Sequence, residues 1–343
     1  MQPHWFAATL DALMAGQDLA EETMRQLMRD VMQGRCGEAE TAALLVALRM
    51  KGETAVELAA AGAVLREHMV RLETGTQQVL DTCGTGGDGS ATFNISTAAA
   101  LIAAGAGVPV VKHGNRAVSS RSGSADVLAV LGVVVEGDAD FARRCLQEAG
   151  LAFCLAPHFH PALKHVAAIR RRLQVRTLFN CLGPLANPAC AAHQLLGVGK
   201  AELLDPLAGA LARLGTRRAL LVCSRDGLDE VSLSAPTLVR EVRGDRVSSW
   251  EWTAADFGLA PCGLDELRAG SPEESAAIVR GILEGRDSPA TRVVLANAAA
   301  ALLAAERVTT PGEGVALAEE TVAAGKARRV LERLVACSQT ATR

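Results

Sequence analysis

Apolar positions recur at two different spacings and divide the chain into a helical first part and a mixed second part. Over about the first 75 residues, large apolar side chains return every three or four positions, as on one face of a helix: Leu27, Val31, Leu44, Leu45, Leu48 and Leu58. Gly34 and Gly52 interrupt this pattern and predict helix ends. We therefore expect residues 1–75 to fold as helices only.

From Val79 onward, short apolar runs alternate with helical patterns. The runs at 79–83, 108–111 and 219–223 predict strands, and alternating residues around Arg243-Gly244-Asp245 predict an edge hairpin at about 237–253. The spacing at 273–335 is helical again. Strands that alternate with helices favour an α/β fold with a mainly parallel sheet flanked by helices. The expected architecture is this large domain plus a small all-helical domain.

A glycine loop stands between the first predicted strand and an alanine-rich helix predicted at about 95–104. Residues 84–97 read Gly-Thr-Gly-Gly-Asp-Gly-Ser-Ala-Thr-Phe-Asn-Ile-Ser-Thr. A strand, a glycine loop and a helix in this order direct backbone N–H groups and the positive helix end at a phosphate. Asn94, Ser96 and Thr97 add polar side chains on the first helical turn. The loop therefore predicts a site for a phosphorylated ligand.

Two other phosphate loops are alternatives. Gly84, Gly86 and Gly89 satisfy the dinucleotide-binding pattern G-x-G-x-x-G, which expects an acidic residue after the next strand. Here that strand ends in Lys112 and His113, and because a lysine could receive a 2′-phosphate, the dinucleotide alternative stays open. No Gly-Lys-Ser/Thr closes the loop, which excludes the P-loop.

Acidic residues indicate a magnesium ion. Asp88 in the glycine loop would repel a diphosphate unless it faced a cation, a hydroxyl or an N–H group. Asp229 and Glu230 follow the predicted strand at 219–223, and Mg²⁺ is usually held by a few carboxylates together with waters and substrate phosphates. An acidic pair in a loop more often lies on the solvated surface. The prediction of a metal site at this pair therefore depends on the phosphate loop that the metal would serve.

The segment 112–120 lies at the end of the second predicted strand, where the ligand crevice of an open α/β sheet forms. Lys112 would place a point charge on phosphate, and Ser119 and Ser120 could donate hydrogen bonds to it. His113 is a candidate base or a residue that holds the loop. No Ser-His-Asp or Cys-His pair follows from the spacing, so we expect no covalent nucleophile.

A third segment carries arginines. The helix predicted at about 164–172 ends in three of them, and Arg170 lies one turn before Leu173, which favours an inward position. An inward arginine near a phosphate loop indicates a second substrate with a carboxylate.

These segments, in this order, resemble the anthranilate phosphoribosyltransferase family from about residue 27 to the last helix. The resemblance also includes Leu48-Arg49-Met50-Lys51-Gly52-Glu53-Thr54, Ser124-Ala125-Asp126-Val127-Leu128, Arg176-Thr177-Leu178-Phe179-Asn180 and Leu182-Gly183-Pro184-Leu185. It implies transfer of the 5-phosphoribosyl group of 5-phosphoribosyl 1-diphosphate (PRPP) to anthranilate in tryptophan biosynthesis, with Mg²⁺ and release of diphosphate.

The resemblance also implies roles for single residues. The implied PRPP site comprises Gly84, Thr85, Gly86, Gly87, Asp88, Gly89, Thr92, Asn94, Ser96, Thr97, Lys112, Ser119 and Ser120. The implied anthranilate path comprises Gly84, His113, Asn115, His160, Arg170 and Pro184. The implied Mg²⁺ ligands are Ser96, Asp229 and Glu230. Lys112, Asp229 and Glu230 would act electrostatically. Gln174 departs from the family, which usually has a glycine there.

The implied domains are a helical domain at 1–75, with about 165–190 packed onto it, and an α/β phosphoribosyltransferase domain at 76–164 and 191–343. The resemblance implies a homodimer through the helical part. A pyrimidine nucleoside phosphorylase would share the fold, but it would not explain the Asp229-Glu230 pair. A paralogue that binds nucleic acid would need an excess of basic residues, whereas the net charge is −3.

Composition also bears on where the protein is expected to work in the cell. No apolar run is long enough for a membrane span, and the first residues lack the features of a signal peptide. The nine cysteines are dispersed without a C-x-x-C pair, which predicts reduced thiols in the cytoplasm. We therefore expect small-molecule substrates and no membrane or nucleic-acid partner.

Overall fold

The computed structural model describes residues 3–75, 78–117 and 122–340. Within them, the first part of the chain is helical, as the apolar spacing predicts. Its helices are α1 (Phe6–Met14), α2 (Glu21–Met32), α3 (Glu38–Lys51) and α4 (Ala55–Glu67). Thr54 starts α4 with a capping box, in which its hydroxyl accepts from Glu57 N and its own N–H donates to the Glu57 carboxylate at 2.8 Å.

The strands of the described chain form one seven-stranded sheet. They are β1 (Leu80–Gly84), β2 (Val110–Gly114), β3 (Leu151–Leu155), β4 (His193–Gly197), β5 (Arg218–Ser224), β6 (Thr237–Arg243) and β7 (Arg246–Trp252). Their order is β3-β2-β1-β4-β5-β6-β7. The first five are parallel, and β6 and β7 form the expected antiparallel hairpin at one edge. The prediction of a mainly parallel sheet is confirmed.

The remaining helices flank the sheet or join the helical part. They are α5 (Ile95–Gly105), α6 (Ser124–Val130), α7 (Ala139–Ala149), α8 (Ala156–Phe159), α9 (Lys164–Leu173), α10 (Phe179–Leu182), α11 (Leu204–Arg213), α12 (Pro272–Leu283), α13 (Pro289–Ala304), α14 (Pro311–Ala323) and α15 (Lys326–Thr340). The alanine-rich helices α5 and α13 are buried along nearly their whole length and pack against each other. Small side chains allow this close approach of two helices.

Two hydrophobic cores lie on opposite faces of the sheet. Along β5, Leu220 and Val222 belong to the core with α5 and α13, whereas Ala219, Leu221 and Cys223 belong to the second core. Alternate side chains of a strand point to opposite faces, so β5 is covered on both sides, as parallel sheets usually are.

The second core joins the helical first part of the chain to a later segment. It contains side chains of α1 to α4 together with Val166 of α9 and Leu178, Phe179, Cys181, Leu182, Leu185 and Ala186. α9 also packs on α2 and α3. The chain therefore returns to the helical part between β3 and β4, and this return brings α9 to one side of the sheet edge where the glycine loop lies.

No helix in the described ranges is long and apolar enough to cross a bilayer. The nine cysteines are all free thiols.

Candidate functional site

The glycine loop, the end of β2 and the turn after β5 enclose a cleft of about 480 Å³ with α9 and α10. The cleft lies at the carboxyl ends of the parallel strands β1 and β2, where ligands of open α/β sheets bind. Most predicted site residues line it: Gly84, Thr85, Gly86, Gly87, Asp88, Thr92, Asn94, Ser96, Lys112, His113, Asn115, His160, Arg170, Pro184, Asp229 and Glu230.

The remaining predicted residues lie elsewhere. Thr97 is buried beneath the cleft, and its hydroxyl has no hydrogen-bond partner within the described chain. Gly89 lies at the end of the loop and does not line the cleft. Ser119 and Ser120 lie outside the described residues.

The glycine loop leaves β1 and is held against the neighbouring strand. The N–H of Thr85 donates to Gly197 O at 2.8 Å, and the Thr85 hydroxyl accepts from Gly199 N at 3.0 Å. Gly86 and Gly87 have φ angles of +64° and +79°, which side chains rarely allow. The loop then passes to Asn94, which precedes α5. These contacts place loop backbone and the start of a helix side by side at the cleft, as the phosphate-site prediction requires.

Lys112 and His113 lie in the last part of β2, in agreement with the predicted end of this strand. Because successive strand residues point to opposite faces, the two side chains enter different parts of the site. Lys112 Nζ donates to the carbonyl of Thr82 and, at 3.0 Å, to the hydroxyl of Ser96 at the start of α5. His113 Nδ1 lies 3.2 Å from Gly183 O on the helical side.

Lys112 is a buried cation with a buried carboxylate nearby. Its side chain is 2% exposed, and burial lowers the pKa of its ammonium group, while the charge of Asp81 opposes that shift. Asp81 is fully buried on β1, and its Oδ1 accepts from His113 N at 3.3 Å. Asp81 therefore stabilises both the charge of Lys112 and the main chain of β2 at the cleft.

Asp229 and Glu230 form an acidic wall opposite Lys112. Burial and the neighbouring Asp88 raise the pKa of Asp229 to about 7. Burial and the adjacent Asp229 raise the pKa of Glu230 well above its usual range. Two buried carboxyl groups with raised pKa values, beside a third carboxylate, form a site at which a bound cation would relieve the repulsion.

The donor set suits Mg²⁺. Asp229 and Glu230 supply carboxylate oxygens and Ser96 a hydroxyl, all hard ligands. Within the described residues, no group of three or more His, Cys, Asp or Glu side chains is arranged to hold a metal ion. Mg²⁺ rarely uses such a cage, because it keeps several waters and takes oxygens from substrate phosphates. The acidic wall therefore fits a magnesium ion that binds together with a phosphorylated substrate.

Two buried histidines line the helical side of the cleft. The rings of His113 and His160 lie 4.9 Å apart. Burial and the charge of His160 lower the pKa of His113 to about 3, and burial lowers that of His160 to about 4. In the described chain, Nε2 of His113 and both ring nitrogens of His160 lack hydrogen-bond partners of normal geometry. Both rings are therefore neutral near pH 7 and available to a bound molecule.

Arg170 projects from α9 into the same side of the cleft. Its guanidinium carbon lies 5.5 Å from the ring centroid of Phe179, and burial lowers its pKa. None of the ion pairs within the described ranges includes Arg170. A partly buried guanidinium without a carboxylate partner can bind a carboxylate from a ligand. α9 ends beyond it at Gln174, where φ is +53°.

Other residues line the cleft that the sequence reasoning did not assign. They include Ser90, Arg116, Ser122, Arg176, Phe179 and Asn180. Arg176 and Asn180 belong to one of the segments that carry the family resemblance, so the segment itself was the signal. The pattern of residues in that segment does not indicate what either side chain contacts. Both side chains reach the glycine loop only because the folded chain returns to the cleft.

The sequence matches two family descriptions in succession. Residues 8–69 match the glycosyl transferase family, helical bundle domain, and residues 76–328 match the glycosyl transferase family, a/b domain. The chain is 48% identical to the anthranilate phosphoribosyltransferase of Symbiobacterium thermophilum, over 95% of this chain and 96% of the relative. It is 50% identical to the enzyme of the same name from Thermomicrobium roseum, over 95% of each chain.

Solved structures agree with these relatives. The anthranilate phosphoribosyltransferase of Thermus thermophilus superposes with a TM-score of 0.90 at 42% identity, covering 96% of this chain and 99% of that one. The enzyme of Saccharomyces cerevisiae in complex with PRPP and Mg superposes with a TM-score of 0.89 at 28% identity, covering 98% of both chains.

Proposed function

Because the chain belongs to the anthranilate phosphoribosyltransferase family, we propose that it transfers the 5-phosphoribosyl group of PRPP to the amino group of anthranilate. The products are N-(5-phosphoribosyl)anthranilate and diphosphate, in tryptophan biosynthesis. One observation carries the proposal: the glycine loop, Lys112 and the Asp229-Glu230 pair form one wall of the cleft, and the Arg170 guanidinium with two buried histidines forms the other.

PRPP would bind on the sheet side of the cleft. The glycine loop from Gly84 to Asp88, the start of α5 with Asn94 and Ser96, and Lys112 would hold its phosphates and ribose. Gly89 and Thr97 do not line the cleft, so they would support the loop and the helix start instead of touching PRPP. Ser119 and Ser120 remain predictions for the same site. Ser96, Asp229 and Glu230 would bind Mg²⁺, which the yeast relative carries together with PRPP. When bound, Mg²⁺ would neutralise charge on the diphosphate as a Lewis acid.

Anthranilate would bind on the helical side. Arg170 would face its carboxylate, and His113, Asn115, His160, Gly84 and Pro184 would line its path. A relative of this chain has been solved with 4-fluoroanthranilate, a molecule of the same shape and charge. Because the histidines are neutral, the positive charge on this wall comes from arginines such as Arg170, which suits an anionic aromatic substrate.

Catalysis would be electrostatic. As the bond from ribose C1 to diphosphate breaks, the ribose develops positive charge and the leaving group gains negative charge. Lys112 and the loop N–H groups would stabilise the growing charge of diphosphate without a covalent nucleophile. Holding two substrates in line contributes on the order of 7–11 kcal/mol at best. An aromatic amine carries almost no proton at neutral pH, so it attacks without a dedicated base.

The domain division would be discontinuous. A helical domain at 1–75 would include about 165–190, and an α/β domain would comprise 76–164 and 191–343. The shared core of α1 to α4 with Val166 and Leu182 supports this division. The cleft would then lie between the two domains.

A homodimer in the cytoplasm completes the proposal. Met14 on α1 and Met50 on α3 are 67% and 83% exposed, and such apolar side chains suit a contact between helical parts. Sedimentation equilibrium would give twice the chain mass for the dimer.

The other functions considered have less support. A dinucleotide-binding site would need a ribose-binding residue after β2, but Lys112 there is buried against Thr82 and Ser96. A phosphorylase or a nucleic-acid-binding paralogue would not need the Asp229-Glu230 wall.

Loss of anthranilate fluorescence tests the proposal. When purified protein is mixed with PRPP, Mg²⁺ and anthranilate, the fluorescence of anthranilate should decrease. Omission of PRPP or addition of EDTA should prevent this decrease. A folded protein that leaves the fluorescence unchanged would refute the transferase activity. Thymidine with phosphate, and then nucleic acid, would be the next ligands to test.

A further inference from the structure

Arg176 contacts the glycine loop from the helical side of the cleft. Its Nη2 donates to Thr85 O at 3.0 Å, and its Nη1 donates to Gly86 O at 2.6 Å. None of the ion pairs in the described ranges includes this guanidinium. Its contacts are thus with two successive peptide groups of the phosphate loop.

These two bonds set the direction of the loop N–H groups. In a trans peptide, the C=O and N–H of one plane point in opposite directions. The N–H of Gly86 shares its plane with Thr85 O, and the N–H of Gly87 shares its plane with Gly86 O. Both N–H groups are therefore directed away from Arg176. The N–H of Gly86 acts on the Asp229 carboxyl and opposes the rise of its pKa.

A glycine loop needs such an anchor. Glycine loses more backbone freedom on folding than any other residue, so an unheld Gly86-Gly87 pair would sample many orientations. Among the described residues, hydrogen bonds from the end of β4 and the turn after it reach the loop at Thr85, through Gly197 and Gly199. Arg176 acts at the next two peptides, and the fit is close: a Cβ on Gly87 would stand 1.7 Å from its Nη1.

We propose that Arg176 is a positioning residue of the PRPP site, whose two-pronged guanidinium fixes two consecutive peptide planes so that their N–H groups face the acidic and phosphate side. This inference rests on the proposed function for its ligand. It also joins the two substrates, because Arg176 follows the helix that carries Arg170.

Two variants test the inference, Arg176→Met and Arg176→Lys. The matched control is Arg171→Met, on the exposed face of α9. The Met variant should raise KM for PRPP about tenfold or more, the usual loss for hydrogen bonds to a charged group. KM for anthranilate and the melting temperature should stay near the wild-type values. Lys should fail to restore KM for PRPP, because a point charge cannot hold two carbonyls in one plane.

Amide hydrogen exchange separates this inference from the proposed activity. In ligand-free protein, residues 84–89 of Arg176→Met should exchange about tenfold faster than in wild type, while α5 is unchanged. That result would stand even if the protein did not consume anthranilate. Unchanged exchange in the loop, a wild-type KM for PRPP in the Met variant, or full rescue by Lys would each overturn the positioning role.

Discussion

Gly197, the last residue of β4, contacts the main chain of Asp229 so closely that no side chain fits between them. A Cβ on Gly197 would stand 1.8 Å from the carbonyl oxygen of Asp229. A Cβ on Gly84, at the end of the neighbouring strand β1, would stand 3.0 Å from Asp229 Oδ2. These close contacts fix the position of Asp229. An asparagine side chain, which has the same shape, should therefore occupy the same place.

Replacement of Asp229 by Asn together with Glu230 by Gln should abolish Mg²⁺-dependent turnover, with a fall of about 100-fold or more. Burial and mutual repulsion disfavour the charged forms of both residues, so the neutral variant should melt at the wild-type temperature or above it. Steady-state kinetics with a magnesium titration and a thermal melt provide the measurements. Asp245→Asn with Glu319→Gln, both exposed, is the matched control. Near-normal turnover in the Asp229→Asn, Glu230→Gln variant would refute the assignment of these residues as Mg²⁺ ligands.

Arg170→Ala should raise KM for anthranilate about tenfold or more and leave KM for PRPP within about twofold, because the lost bond is to the carboxylate. Initial rates with each substrate varied in turn measure the two constants. Arg171→Ala, on the exposed face of the same helix, should change neither. Equal increases in both constants would mean that Arg170 maintains the cleft instead of binding one substrate.

His160 should make the fold less stable in acid. Its pKa is lowered by burial to about 4, against an ordinary value near 6.5 in the unfolded chain. Between these values the unfolded state binds more protons, so the free energy of unfolding rises with pH and is lost as pH falls below about 6.5. From pH 6.5 to 5 the loss should be about 2 kcal/mol for this residue.

Urea unfolding at pH 7 and pH 5 measures that loss. His160→Gln should show a smaller decrease than wild type, because the variant lacks one buried ring that must gain a proton on unfolding. His158→Gln, an exposed histidine of the same segment, should behave like wild type. Equal decreases in wild type and His160→Gln would contradict a buried neutral ring.

Gln174→Gly should stabilise the protein by up to about 1 kcal/mol. Gln174 ends α9 at a φ of +53°, a conformation that glycine adopts without strain. Because the backbone already makes this turn, KM for anthranilate should not change. Gln147→Gly, within α7, is the control of opposite sign and should destabilise by about 1 kcal/mol. Chemical denaturation measures both variants, and a loss of stability in Gln174→Gly would show that its side chain makes a compensating contact.

Gln174 also shows how a family resemblance can indicate a backbone conformation from sequence. The family's usual glycine marks a left-handed residue, and the chain keeps that conformation with a glutamine. The hairpin around Gly244 is predictable for a related reason, because a turn between two alternating runs leaves few other pairings.

Lys112 and His113 show where local pattern is insufficient. The sequence places both residues at the end of the strand, and the pairing with β3 extends through them to Gly114. It does not show that Lys112 is buried, because Asp81 and the start of α5 surround it only in the folded chain. This extension of β2 sends the two side chains to opposite faces.

The sequence by itself determined the α/β architecture, the glycine loop between a strand and a helix, the acidic pair and the family, because apolar spacing, glycines and ordered motifs act over short stretches of chain. Only the tertiary structure decided that Arg176 meets the glycine loop, that Gly197 fixes Asp229, and that two histidines are buried and neutral. Those relations join residues far apart in the chain, and their distances and dielectric surroundings arise only when the two cores pack on the sheet.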